Sequence, residues 1–178
     1  MNAGSRSIQT GGDGKLVSLF TDGACSSNPG PGGWAVVFID GDDGLKQLSG
    51  LSKSTTNNKM ELKAAIEAYK YVLTLKVSDP RDKTEYEIVS DSAYVVNTVS
   101  NGWLQNWKRN GWKNGKGEKV KNIGLWKEMQ FLIDLAKHAG LKVTFRKVRG
   151  HAGNPMNEIA DRIAVNRKLE AIQMLGGN

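Results

Sequence analysis

The chain predicts an α/β domain built on a mixed sheet. Two patterns carry that expectation. Three β-prone runs joined by short turns come first, and helical and strand patterns then alternate. A third observation is size: 178 residues with 39% hydrophobic content can bury a substantial core in one domain.

The elements follow in order. Val17–Phe20 and Trp34–Ile39 are apolar and β-prone, separated by Gly23–Gly33, a stretch rich in Gly, Pro, Ser and Asn. After the turn Asp40-Gly41-Asp42-Asp43-Gly44, a third strand is expected over Leu45–Lys53, completing an antiparallel meander. The period then changes. Leu62, Ala65, Ile66, Tyr69, Val72 and Leu73 recur at helical spacing, predicting an amphipathic helix from Asn58 to about Lys76 with Asn57 or Asn58 as N-cap. A turn at Asp79-Pro80 leads to the strand Tyr86–Ser90, and a short helix runs from Ser92 to near Asn101-Gly102. Leu125, Met129, Leu132, Ile133 and Ala136 mark a further helix stopped by Gly140. Leu141–Val148 has strand character, and Pro155 to about Leu175 is the last helix. Residues 1–14 read as a flexible tail, 15–167 as the domain, and 168–178 as the end of the last helix with a fraying tail.

The formal charge of +7 and pI near 9.5 favour an anionic partner, with nucleic acid first. Cys25 is the single cysteine, so no internal disulfide forms and a reducing compartment is expected. No apolar run reaches membrane-spanning length, and Met1–Ser7 lacks the apolar centre of a signal peptide. A soluble, cytoplasmic protein with no membrane partner is the expectation, and a monomer is the default.

Four acids stand at notable places. Asp22 ends the apolar run Leu16–Thr21, and Asp91 follows the strand ending at Ser90. Glu61 opens the first helix, where the helix dipole favours it, and Asp161 lies within the last. A carboxylate at the mouth of a buried strand is unfavourable unless paired, and like charges held together repel. Divalent cations with oxygen preference, Mg²⁺ above all, relieve that repulsion. Taken singly, each acid reads as a cap or a surface charge. Together they point to a metal-holding cluster, although spacing alone does not establish that they meet.

The local words are more specific. Thr21-Asp22-Gly23-Ala24-Cys25 with Asn28-Pro29-Gly30-Pro31-Gly32-Gly33-Trp34 resembles the opening of type 1 ribonuclease H. So do Thr55-Thr56-Asn57-Asn58-Lys59-Met60-Glu61-Leu62, Ser90-Asp91-Ser92-Ala93-Tyr94-Val95, and Gly150-His151-Ala152-Gly153-Asn154-Pro155-Met156-Asn157-Glu158. These words occur in family order across roughly Lys15–Arg167, with Asp161 ten residues after His151. The resemblance implies a ribonuclease H-like fold, a five-stranded mixed sheet flanked by helices. It implies an endonuclease that hydrolyses the RNA strand of RNA–DNA hybrids with two Mg²⁺ ions, Mn²⁺ being a substitute, and leaves 5′-phosphate and 3′-hydroxyl ends. Asp22, Glu61, Asp91 and Asp161 would be the metal ligands.

By the same resemblance His151 would assist proton transfer or product departure, and Glu158 matches an acid beside the site. Taken alone, a loop histidine is a solvated side chain. His138 instead reads as a partner of its helix C-terminus. Cys25, Asn28, Asn57 and Asn58 match positions facing the minor groove, where 2′-hydroxyls are displayed. Thr56 and Asn122 match the pocket for a DNA phosphate. Read from the residues alone, these asparagines are turn formers or caps.

Four of the five tryptophans fall between Trp103 and Trp126, among Lys108, Arg109, Lys113, Lys116, Lys119 and Lys121. Cations there suit phosphates, and rings suit sugars and bases. Trp126 lies on an apolar helical stripe and reads as core. Trp103, Trp107 and Trp112, with Lys108, Arg109 and Lys113, read as a protruding element over 103–122. That element resembles the basic protrusion with which many bacterial ribonucleases H grip DNA. One departure is Ala93, where many members carry a substrate-contacting Gln. A non-catalytic hybrid-binding module would be expected to lose a ligand, and all four are present. A DNA-transferring nuclease fits poorly with Asn57-Asn58 and Asn28-Pro29-Gly30.

Overall fold

A computed structural model describes residues 14–150 and 152–176. Strands β1 (Leu16–Cys25), β2 (Gly30–Ile39), β3 (Leu45–Thr55), β4 (Glu85–Ser90) and β5 (Val143–Lys147) form one sheet in the order β3-β2-β1-β4-β5. β1, β2 and β3 make the antiparallel meander, while β4 and β5 join in parallel. The helices are α1 (Asn57–Ser78), α2 (Ala93–Ser100), α3 (Trp103–Arg109), α4 (Ile123–His138) and α5 (Pro155–Gly176). The expected mixed sheet is present.

The central strand β1 is buried on both faces because helices cover both. Val17 and Leu19 join a large core with Val36, Phe38, Leu62, Ile66, Ile88, Trp126 and Met129. Phe20, on the opposite face, joins Val37, Val89 and Ala160 under α5. Each large side chain buried in this way stabilises the fold by roughly 1.5–3 kcal/mol. Small residues bring α5 down onto the sheet. Ala160, Ala164 and Ala171 are fully buried, and a Cβ on Gly33 would collide with the Ala164 carbonyl.

Several boundaries differ from expectation. β1 does not stop at Asp22 but continues to Cys25, because Gly23–Cys25 still pair with Gly32–Trp34 of β2. The cap of α1 is Thr56, whose hydroxyl accepts the Lys59 N–H, so neither Asn57 nor Asn58 caps the helix. β3 reaches Thr55, and β5 is shorter than its apolar run because Leu141 turns inward beneath α4 instead of pairing. Among the described residues no helix is long and apolar enough to cross a membrane. The tail expected over residues 1–13 lies outside the described residues. The last helix continues unbroken to Gly176.

Candidate active site

The parallel register explains how distant acids meet. Leu16 pairs with Glu85 and Phe20 with Val89, a constant offset of 69 residues. Carried on by two residues, that offset sets Asp22 level with Asp91 just past the last pair. Asp22 shares the parity of Phe20, so it lies on the α5 face of β1. Glu61 arrives from the start of the second turn of α1, just beyond the first-turn place expected of it, and the helix lies against β1 so closely that a Cβ on Gly23 would strike the Glu61 backbone. Glycine is required there by proximity. Carboxylate oxygens of Asp22, Glu61 and Asp91 lie within 4.8 Å of one another.

The electrostatics of this trio are unfavourable for three free anions. Burial, then the charge of Asp91, pushes the Asp22 carboxyl up to about 7. Burial, followed by Asp22 and Asp91, holds Glu61 well above the ordinary range. Asp22 Oδ1 accepts the Gly23 N–H at 2.7 Å. Glu61 Oε2 is buried with no hydrogen-bond partner. None of the three takes part in a salt bridge among the described residues. A hard, oxygen-seeking divalent cation fits this donor set: it would satisfy the orphan oxygen and neutralise the repulsion.

Asp161 stands apart from the trio. It is half-buried two turns into α5, outside the group within 4.8 Å, yet close enough for its charge to raise Asp22. α5 starts from Asn154, whose side chain accepts the backbone N–H groups of Met156 and Asn157. His151 lies outside the described residues. Gly150 does not: a Cβ there would sit 2.5 Å from Asp91 Oδ2, so the loop before His151 presses on the trio. Asn157, one turn before Asp161, is buried with its Oδ1 unpartnered, a feature no sequence pattern signals.

A second group of expected residues comes together around a cavity of about 480 Å³ lined by Asn28, Thr56, Asn57, Asn58, Lys121 and Asn122. Asn28 Oδ1 accepts the Asn57 N–H at 2.8 Å, tying the Gly-rich loop to the start of α1. Asn122 adopts a left-handed conformation and donates to the Tyr94 hydroxyl at 2.9 Å. Lys121 was legible only as part of a basic run; its position here depends on the chain turning at Asn122. Cys25 does not line this cavity, since its thiol donates to the Ser27 carbonyl.

The basic segment is partly embedded. Trp103 is 45% exposed, but Trp107 and Trp112 pack against the main core, and Trp107 meets Trp126 edge-on at 5.8 Å between ring centres. This corrects the expectation that all three tryptophans protrude: the rings are large enough to anchor the element while its lysines stay outside. Trp126 is fully buried as expected, its indole N–H donating to Tyr94. The loop after α3 closes through the Lys113–Lys119 bridge and through Asn114, which accepts from Lys116 and Glu118 N–H groups. Lys108 is held by Asp134 at 2.9 Å, whereas Arg109 and Lys113 are exposed with no ion pair among the described residues. His138 Nδ1 lies 2.8 Å from the Asp134 carbonyl, at its own helix end as expected.

A family model described as RNase H matches residues 14–168. Ribonuclease H of Syntrophomonas wolfei is 46% identical over 162 residues, covering 91% of this chain and 99% of that protein. Ribonuclease HI of Synechocystis is 44% identical over 149 residues, covering 84% and 85%. Among solved structures, LC9-RNase H1, a type 1 RNase H with the type 2 active-site motif, superimposes with a TM-score of 0.66 at 28% identity, over 89% of this chain and 74% of that one. LC11-RNase H1 in complex with RNA/DNA hybrid shares the fold, with a TM-score of 0.62 at 21% identity over 88% and 99%.

Proposed function

Because the chain belongs to the ribonuclease H family and is a ribonuclease H enzyme, we propose that it is an endonuclease for the RNA strand of RNA–DNA hybrids. The products carry 5′-phosphate and 3′-hydroxyl ends. The observation that carries this reading is the trio Asp22, Glu61 and Asp91, gathered within 4.8 Å with the buried Glu61 Oε2 left without a hydrogen-bond partner. With Asp161 these residues hold two divalent cations, Mg²⁺ in the first place and Mn²⁺ as a substitute. When bound, the cations supply an activated water and stabilisation of the leaving 3′ oxygen.

The remaining roles fall to this chain's own groups. Asp161, displaced from the trio, bounds the site on the α5 side. His151, carried on the loop that Gly150 packs against Asp91, assists proton transfer or product departure. Asn28, Asn57 and Asn58 meet the minor groove, and Cys25 supports them by fastening the loop backbone. Thr56 and Asn122 receive a DNA phosphate in the cavity they line, with Lys121 beside it. Trp103, Arg109 and Lys113 present the exposed grip of the basic segment; Trp107 and Trp112 hold it in place. The relative LC11-RNase H1, solved with an RNA/DNA hybrid, supports this assignment of ligand.

The test is cleavage of matched hybrid, RNA duplex and DNA duplex, with Mg²⁺ or with chelator. Internal cuts confined to the RNA of the hybrid, dependent on Mg²⁺, are expected. Cleavage of DNA duplex, or hybrid cleavage undiminished by Asp91→Asn, would sink the reading.

A further inference from the structure

The β3–α1 junction separates two cavities. Thr56, Asn57, Asn58 and Asn122 face the first, the proposed seat of a DNA phosphate. Beyond them lies a second cavity of about 400 Å³, walled by Trp34 and Leu51 of β2 and β3, by Lys59, Met60 and Lys63 of α1, and by Leu125 of α4. The same two helix starts border both. Asn57 and Asn122 serve the first cavity, and Lys59 and Leu125, within one turn further along each helix, serve the second. One helical turn is about 5.4 Å, so a strand leaving the first cavity reaches the second at once.

The chemistry of the second cavity differs from that of the first. Its floor is apolar and includes an aromatic ring, Trp34. The indole lies against β3 only because position 50 is glycine; a Cβ there would sit 2.6 Å from Trp34 Nε1. Its rim carries Ser52, Ser54 and Thr55, and among the described residues no carboxylate lines it. Lys63 pairs with Glu67 at 2.7 Å, while Lys59 is exposed and enters no salt bridge among the described residues. A flat apolar group flanked by negative charge and bearing hydrogen-bonding edges matches these walls. That description is a nucleotide.

We propose that this cavity binds an unpaired nucleotide of the DNA strand just beyond the hybrid, its base against Trp34 and its phosphate on Lys59. This rests on the hybrid reading above, which puts the DNA strand at the first cavity. A base seated against Trp34 has left its complement, so the occupant belongs to a single-stranded flank. Hydroxyl groups on the rim make the seat tolerant of base identity, as stacking sites for single strands are.

The experiment measures binding of fluorescent hybrids to Asp91→Asn protein in Mg²⁺ by anisotropy. The hybrids are blunt, or carry a four-nucleotide DNA overhang at one end or the other, or the corresponding RNA overhangs. One of the DNA overhangs is expected to tighten binding about tenfold, the scale of a single base–aromatic contact. RNA overhangs should add nothing. Ser52→Trp, which fills the cavity, and Lys59→Gln should remove most of that gain while binding blunt hybrid within about twofold of the parent. An overhang containing 5-iododeoxyuridine should crosslink to Trp34. Equal affinity for blunt and DNA-tailed hybrids overturns the proposal, as does a gain that survives both substitutions or appears equally with RNA. Failure to bind the blunt hybrid at all would instead overturn the hybrid reading itself, and the blunt arm reads that separately.

Discussion

The two ends of the sheet treat their acids in opposite ways. At the end where β1 begins, acids are met by cations of the chain at or near the surface. Lys46 bridges Asp40 and Asp43, Lys142 holds Glu85, and a little further along Arg146 holds Glu87. At the other end Asp22, Glu61 and Asp91 crowd together with no ion-pair partner among the described residues, and burial lifts the carboxyls of Asp22 and Glu61. Paired surface acids are ordinary solvated charges. Buried acids left unpaired are destabilising unless something outside the chain completes them.

The sharpest way to break that contrast is to neutralise each end in turn. Asp22→Asn, Glu61→Gln or Asp91→Asn should each lower hybrid cleavage by about a thousandfold or more, equivalent to roughly 4 kcal/mol of barrier. In chelator the same variants should be at least as stable as the parent by thermal melting, since each removes repulsion. A parent that outlasts Asp22→Asn in chelator would mean the trio is structural.

Acidity offers the next test. Asp22 titrates near 7 in the folded protein against about 3.9 when unfolded, so the folded state binds more protons between those values. The sign follows: in chelator, stability falls as pH rises from about 4 to 7, by up to about 1.4 kcal/mol per pH unit for one fully titrating carboxyl. Melting across that range checks it, and Asp22→Asn should flatten the curve. Adding Mg²⁺ at pH 7.5 to a hundred times its dissociation constant should restore about 2.7 kcal/mol in the parent. The Asp22→Asn, Glu61→Gln double variant should gain almost nothing.

The basic segment should respond more gently. Replacing Arg109 and Lys113 with Ala should weaken hybrid binding and reduce the slope of log affinity against log salt by up to about one unit per lost phosphate contact. Lys108→Ala, already committed to Asp134, should alter the slope less. Equal slopes for all three would remove the distinction between held and exposed cations. Smallest of all, Lys142→Ala at the far end should change stability by about 0–1 kcal/mol and leave cleavage untouched.

Much of this architecture was legible beforehand. The switch from short β-prone runs to helical spacing at Leu62 predicted the meander and α1, and apolar periodicity placed α4 with Trp126 inside it. Boundaries were harder. Thr56 took the cap from its asparagine neighbours because capping depends on which residue is extended at the helix start, and three adjacent residues all have suitable side chains. The tryptophans misled for a related reason. Polar neighbours describe the loop around a ring, not the surface that the ring finds, and Trp107 and Trp112 found Trp126 and the core.

The acids show where each source of information stops. Local words around Asp22, Glu61, Asp91 and Asp161 identify the residue types and the family resemblance, because those words record chemistry confined to a few neighbours. Their convergence is a long-range fact. It follows from the parallel register of β1 and β4, the glycine contact that seats α1, and alanines that let α5 approach. Whether a carboxylate is a surface charge or a strained buried anion depends on solvent exclusion and the distance to its neighbours, both set by packing across the whole sheet. The residues name the acids; only their enclosure makes a divalent cation fit them.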